Sequence, residues 1–169
     1  MWPFGRKTAQ PALAPAKAAE TTRALSLLLP EEVSSLGGLP GKAVAAVVEG
    51  PTPSPGIAVP LEAVRPNPVF VAFLHSVIRA RGPSDPGLRA AAAAQRDGWV
   101  YVVDLRTPGG PQGRVPSEDI IGGFKVEEGI IVVDSYVANE RHRVYTANGL
   151  VRLPPSLRTA FVEELRQGG

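Results

Sequence analysis

The alternation of apolar and polar positions is clearest between Gly98 and Arg106. Four large apolar side chains recur there at the two-residue period of a β-strand and share one face: Trp99, Tyr101, Val103 and Leu105. Val100 and Val102 place apolar groups on the opposite face. The pattern predicts an inner strand whose two faces are both largely covered by other parts of the chain.

Helical patterns appear in three stretches. Asn67 is a preferred N-cap, Pro68 suits the first helical position, and five apolar residues then recur at helical spacing: Phe70, Phe73, Leu74, Val77 and Ile78. The stretch 84–86 repeats this start signal before a run of five alanines, which have high helix propensity. A last helix is expected to begin with Ser156 as its cap.

Turn residues between alternating runs predict two β-hairpins in the C-terminal half. Glu128 and Gly129 separate the runs 124–127 and 130–136, and Asn148–Gly149 is a strong hairpin signal. Sequential hairpins argue against a doubly wound sheet and its cofactor crevice. The predicted fold class is therefore α+β, with two or three helices packed on a mainly antiparallel sheet.

Proline is distributed unevenly along the 169 residues. Eleven of the 18 prolines precede Val69, so the first part of the chain cannot be one regular element. The Pro/Ala-rich residues 1–41 are expected to form an extended N-terminal arm or linker. Residues 42–169 are expected to form the α+β domain, starting with a strand at 42–49, because a chain of this length suits one domain with an appendage.

The N-terminal arm carries the residues that we expect to bind a partner. Its first residues combine two aromatic and two basic side chains: Trp2, Phe4, Arg6 and Lys7. Large aromatic rings are costly to leave in water, which favours a partner surface that covers them. Three further apolar residues follow in the same arm: Leu27, Leu28 and Leu29. This composition indicates a non-catalytic accessory or interaction subunit that binds a larger protein assembly through its arm.

A membrane surface is the second candidate partner of the arm. Indole rings and basic side chains favour the interface between lipid headgroups and water. No run of about 18 apolar residues occurs, so the sequence predicts no membrane-spanning helix. The arm would then hold the protein peripherally on the inner face of a membrane.

An enzyme is one alternative function. Histidine and carboxylate groups can perform acid/base chemistry, and the candidates are scattered along the sequence: His75, Asp104, Glu118, Asp119 and His142. A pocket that holds His142 within hydrogen-bond reach of one of these carboxylates would favour the enzyme.

Nucleic-acid binding is the other alternative. The hairpin between Arg141 and Arg152 contains a concentration of basic and aromatic residues: Arg141, His142, Arg143, Tyr145 and Arg152. Binding to nucleic acid calls for a clearly basic surface, and the net charge is only +2. This balance argues against nucleic acid as the partner.

The sequence predicts no cofactor and no metal. The glycine-rich stretch 107–113 has neither the GxxxxGK[ST] nor the GxGxxG spacing of phosphate-binding loops. The chain has no cysteine, which excludes a disulfide and a thiolate metal site and favours a cytoplasmic location.

Overall fold

A computed structural model describes residues 22–51, 58–107 and 114–168. Within these ranges the chain has the predicted α+β fold, with four helices and nine strands. The helices are α1 (Pro30–Ser35), α2 (Pro68–Arg81), α3 (Pro86–Gln95) and α4 (Pro155–Gln167). The strands are β1 (Arg23–Ser26), β2 (Val44–Val48), β3 (Val64–Pro66), β4 (Gly98–Val103), β5 (Ile120–Glu127), β6 (Ile130–Ile131), β7 (Val137–Ala138), β8 (Tyr145–Thr146) and β9 (Gly149–Leu150).

Helix α2 begins where its capping chemistry predicts. The Asn67 side chain accepts a hydrogen bond of 3.0 Å from the backbone N–H of Val69. Its amide group also donates to the carbonyl oxygens of Gly41 and Val44, at 2.9 and 2.8 Å, which ties the helix start to strand β2. The predicted apolar stripe of α2 faces the core, where Phe70, Leu74, Val77 and Ile78 are buried.

Helix α4 packs beside α2, and its start differs from the prediction. The Phe161 ring lies 5.6 Å from the ring of Phe70, between centroids. Pro154, not Ser156, occupies the N-cap position of α4. The Ser156 hydroxyl instead donates to the carboxylate of Asp85, the residue that caps α3. A tertiary contact has therefore taken the hydroxyl that the sequence assigned to a local cap.

The strands form three antiparallel sheets among the described residues. One has the order β1-β2-β3, and another pairs β8 with β9. In the third, the order is β4-β5-β6, and the short strand β7 also pairs with β5. The hairpin predicted at Glu128–Gly129 is confirmed, since Glu127 pairs with Ile130.

The prediction that the strand from Gly98 is an inner one with both faces covered is wrong. Strand β4 pairs with β5 alone among the described strands and lies at the end of its sheet. One face is buried through Val100 and Val102, but Trp99 and Tyr101 remain 38% and 52% exposed. Alternation of large apolar residues places them on a common face, and it does not show whether another layer covers that face.

Folded structure begins earlier than the expected boundary at residue 41. Strand β1 pairs with β2 from Arg23 to Ser26, and helix α1 follows. Pro30 does not interrupt this region, because it occupies the first turn of α1, where no backbone N–H is needed. The prolines of this stretch thus mark element starts, and residues 22–41 belong to the folded part. Residues 1–21 lie outside the described residues.

The helices described in the structure are all too short or too polar to cross a membrane.

Candidate functional site

A buried cluster of charged side chains lies where β4 ends and β5 begins. Asp104 and Arg106 follow β4 directly, and Asp119 ends the 3₁₀ turn that leads into β5. The Arg106 Nε atom lies 3.1 Å from Asp104 Oδ2 and 3.1 Å from Asp119 Oδ1. All three side chains are at most 2% exposed. The negative charges of two carboxylates therefore compensate the positive charge of one guanidinium in a site that is shielded from water.

Arg106 also holds the β8–β9 hairpin in place. Its Nη1 atom donates to the carbonyl oxygens of Val144 and Gly149, at 3.1 and 2.9 Å. Its Nη2 atom donates to the carbonyl oxygen of Arg143. The guanidinium thus satisfies backbone acceptors just before β8 and at the start of β9, in a hairpin that is distant in sequence. This connection is structural, because every contact is made to the chain itself.

His142 joins the cluster through Asp104. The His142 Nε2 atom lies 3.3 Å from Asp104 Oδ2, and the His142 side chain is 2% exposed. The other Asp104 oxygen accepts the backbone N–H groups of Arg106 and Arg152, at 3.1 and 2.8 Å. The Thr107 hydroxyl donates to Asp119 Oδ2 at 2.9 Å. Both carboxylates are consequently occupied by partners within the chain.

A cleft of about 530 Å³ borders this cluster. Asp119 and His142 line it beside residues of the first sheet and of the β8–β9 hairpin, among them Val64, Val144 and Tyr145. An imidazole oriented by a carboxylate at the edge of a cleft is an arrangement that can accept a proton from a ligand. The condition that the sequence set for an enzyme is met only in part, because His142 lines the cleft but Asp104, the carboxylate within its reach, does not.

Of the remaining acid/base candidates, Glu118 lines the same cleft as Asp119 and His142, whereas His75 does not. Glu118 is exposed, and its carboxylate makes a 3.4 Å contact with the hydroxyl of Ser117. His75 on α2 shares a 2.8 Å hydrogen bond with the hydroxyl of Tyr136. Burial lowers the pKa of His75, and electrostatic repulsion from the side chains of His142 and Arg79 lowers it further. Burial also raises the pKa of Tyr136, so both members of this pair are neutral at pH 7.

The basic and aromatic residues of the C-terminal hairpin do not share one surface. Arg141, Arg143 and Arg152 are exposed, whereas the His142 side chain is buried against Asp104. The Tyr145 hydroxyl donates to the carbonyl oxygen of Val59 at 3.4 Å. Two of the five residues are therefore engaged inside the protein.

A second candidate site lies on the open face of the sheet β4-β5-β7. Tyr101 of β4 and Val137 of β7 both pair with Gly123 of β5, so these three residues form one row across the sheet. Because Gly123 has no side chain, a groove runs between the side chains of β4 and β7. We call this groove the Gly123 trough: its floor is Gly123, and its walls are Trp99, Tyr101, Val137 and Arg141. Its volume is about 430 Å³.

Sequence reasoning missed the trough, although a signal for it exists. Glycine inside a strand indicates a bulge or a close approach of another group. A Cβ atom on Gly122 would lie 2.5 Å from the Tyr136 hydroxyl oxygen on the buried face. One on Gly123 would lie 3.0 Å from the Tyr101 ring on the open face. The pair Gly122–Gly123 therefore marks close packing on both sides of β5.

The partner-binding residues expected from the sequence have different positions. Trp2, Phe4, Arg6 and Lys7 lie outside the described residues. Leu28 is only 9% exposed and packs in the main core, so it is not available to a partner. Leu27 is half-buried against the same core, and Leu29 is exposed at the start of α1. Regular apolar spacing could not separate these three, because the turn after β1 decides which of them points inward.

The described part of the chain thus offers two places of different character, a closed polar cluster and an open apolar trough. No three imidazole or carboxylate groups within the described ranges converge to hold a metal ion. Comparisons of the chain with models of protein families, with curated proteins and with solved structures find no match.

Proposed function

We propose that the chain is a non-catalytic accessory or interaction subunit that binds a larger protein assembly. The observation that carries this proposal is the exposure of Trp99 and Tyr101 on the open face of a sheet. Aromatic side chains are enriched in the centres of protein–protein interfaces, where they bury a large area at a small cost in side-chain entropy. An exposed apolar groove is a feature that a partner would cover.

The N-terminal segment is the second contact in this proposal. Trp2, Phe4, Arg6 and Lys7 precede the first described strand, and their chemistry suits either a protein groove or a lipid surface. Leu29 extends the exposed apolar surface at the start of α1. The subunit would act in the cytoplasm, either within a protein assembly or peripherally on the inner face of a membrane.

The proposal is tested by the mass of the native particle. The tagged full chain is isolated from the cells that make it, and its mass is measured by size-exclusion chromatography with light scattering. A complex well above the 17.8 kDa of the single chain is expected, with a partner in fixed stoichiometry. A chain lacking residues 1–21 serves as the comparison, because this cut leaves strand β1 intact. Elution of the full chain as a free monomer would overturn the proposal.

An acid/base enzyme is the second candidate function. The observation in its favour is the His142 Nε2 atom, 3.3 Å from Asp104 Oδ2, at the edge of a 530 Å³ cleft. A carboxylate can orient an imidazole for proton transfer. In this protein the imidazole is buried and the carboxylate accepts two backbone N–H groups, which favours a structural role. Hydrolysis of simple ester or phosphate substrates that is lost in His142→Gln at unchanged stability would support the enzyme.

A further inference from the structure

The Gly123 trough has a defined shape because of the order of its strands. Strand β5 is central, with β4 on one side and β7 on the other. Across one row, Tyr101 and Val137 are more than half exposed, whereas Gly123 between them contributes backbone alone. The Tyr101 ring leans over this glycine, because a Cβ atom on Gly123 would lie 3.0 Å from it, and the open part of the trough lies between the ring and Val137. A bulky side chain from outside can pack between this ring and Val137 without moving the sheet.

The two ends of the trough differ in charge. At one end, Lys125 lies opposite Trp99 and forms a 2.7 Å ion pair with Glu127. At the other end, Arg141 lines the wall. The Arg141 side chain forms neither an ion pair nor a hydrogen bond with any residue in the described ranges, and it is exposed. The trough therefore offers an apolar centre with an unneutralised cation beside it.

We propose that the Gly123 trough binds an extended segment of a partner protein that carries a bulky apolar side chain beside a carboxylate. The apolar side chain packs against the Tyr101 ring that covers Gly123, on the side that faces Val137. The carboxylate pairs with Arg141, whose planar guanidinium suits bidentate contact with a carboxylate. This inference rests on the proposed function and names the chemistry of the partner segment.

Charge and size favour a peptide as the occupant. A nucleic-acid strand needs several cations along its phosphates, and here Lys125 is already neutralised by Glu127. Glu118 and Glu140 line a groove that adjoins the trough at Arg141, and their charges would repel further phosphates. The volume of about 430 Å³ is in the range of sites that bury a few side chains.

The test uses random twelve-residue peptides displayed on phage and selected against the full chain. Selected peptides are expected to place an aromatic or large aliphatic residue within two positions of Asp or Glu. Binding of a synthetic representative is then measured by fluorescence anisotropy. We expect Tyr101→Ala and Arg141→Glu each to weaken it at least tenfold, which corresponds to about 1.4 kcal/mol. Exchange of the peptide carboxylate for lysine should restore binding to Arg141→Glu.

Two matched variants serve as controls. Ile130→Ala removes an apolar side chain that is 70% exposed and lies outside the trough, and Arg152→Glu reverses an exposed arginine elsewhere. Neither should change peptide binding. Thermal unfolding of all four variants tests whether each one is folded.

Three outcomes would overturn the inference. In the first, selection against the parent chain yields no more binders than selection against the Tyr101→Ala chain. In the second, the selected peptides lack acidic residues. In the third, Arg141→Glu leaves the affinity for the peptide unchanged. Tight binding of a fifteen-residue thymidine oligonucleotide that depends on Tyr101 would assign the trough to nucleic acid instead. A chain that is recovered in a larger complex but selects no such peptide would disprove this inference and leave the proposed function standing. A monomeric chain would disprove the proposed function itself.

Discussion

The strand pair β4–β5 contains two regions that differ in solvent exposure: buried charged side chains at one end, and exposed aromatic side chains on one face. At one end, Asp104, Arg106 and Asp119 are removed from solvent almost completely. On the open face a few residues away, Trp99 and Tyr101 remain exposed. The buried charged groups are tolerated because each has hydrogen-bond or ion-pair partners. The exposed aromatic side chains are tolerated because they lower the solubility of the protein more than its stability. The first region therefore contributes to folding, and the second is the surface on which the proposed binding depends.

The largest effect is expected from breaking the polar cluster. Arg106→Met removes the guanidinium and leaves two carboxylates and three backbone carbonyls without their donor. We expect the free energy of unfolding in urea to fall by about 3–5 kcal/mol. Arg152→Met, an exposed arginine, is the control and should change stability by less than about 1 kcal/mol. Equal effects of the two substitutions would show that the cluster has no special role.

The next largest effect is expected from a comparison of glycine substitutions on the two faces of strand β5. In Gly122→Ala the new Cβ atom would lie 2.5 Å from the Tyr136 hydroxyl oxygen and 2.7 Å from the carbonyl oxygen of Val137. Backbone cannot move aside easily, so a loss of about 1–3 kcal/mol is expected. In Gly123→Ala the nearest atom belongs to the exposed Tyr101 ring, which can rotate away, and the nearest backbone atom, the carbonyl oxygen of Val100, is farther off at 3.2 Å, so the loss should be smaller. Thermal and urea unfolding of both variants measure the difference, and the reverse order would contradict this assignment of faces.

Local chemistry could be predicted from the sequence, and long-range compensation could not. The Asn67–Pro68 start of α2 and the turn at Glu128–Gly129 depend on neighbouring residues, and both are confirmed. Burial of Arg106 depends on Asp119, 13 residues away, and on Val144, 38 residues away. No local sequence pattern indicates such distant partners. In the sequence, Asp104 and Arg106 therefore resemble the polar end of a strand.

The trough was missed for a related reason. Period-two spacing correctly placed Trp99 and Tyr101 on one face, but coverage of a face depends on whether another layer packs there. The same limit applies to Leu28, which is buried although its neighbour Leu29 is exposed. The distribution of apolar residues thus predicts the helices and strands and which residues share a face. Tertiary packing decides which of these faces remain exposed to solvent.

A smaller effect, dependent on pH, is expected at the pair of His75 and Tyr136. Burial, and electrostatic repulsion from the side chains of His142 and Arg79, hold the folded-state pKa of His75 below its ordinary value of 6.5. The unfolded chain therefore binds the proton more readily, and stability is lost as the pH falls from about 6.5 through the folded-state pKa. Urea unfolding between pH 5 and 8 should show a shallower decline for His75→Gln than for the parent chain. Identical pH profiles would mean that His75 titrates normally in the folded state.

The smallest effect on stability is expected from Tyr101, the residue on which the proposed peptide binding depends most. Tyr101 is 52% exposed, and its ring contacts mainly the Gly123 position beneath it. Tyr101→Ala removes little buried area, so the free energy of unfolding should fall by less than about 1 kcal/mol, mostly through lower strand propensity. Tyr101→Thr introduces a β-branched residue with high strand propensity and should recover part of that loss without recovering peptide binding. A loss comparable to that of Arg106→Met would mean that the open face supports the fold itself, because exposed groups that serve only a partner contribute little to the free chain.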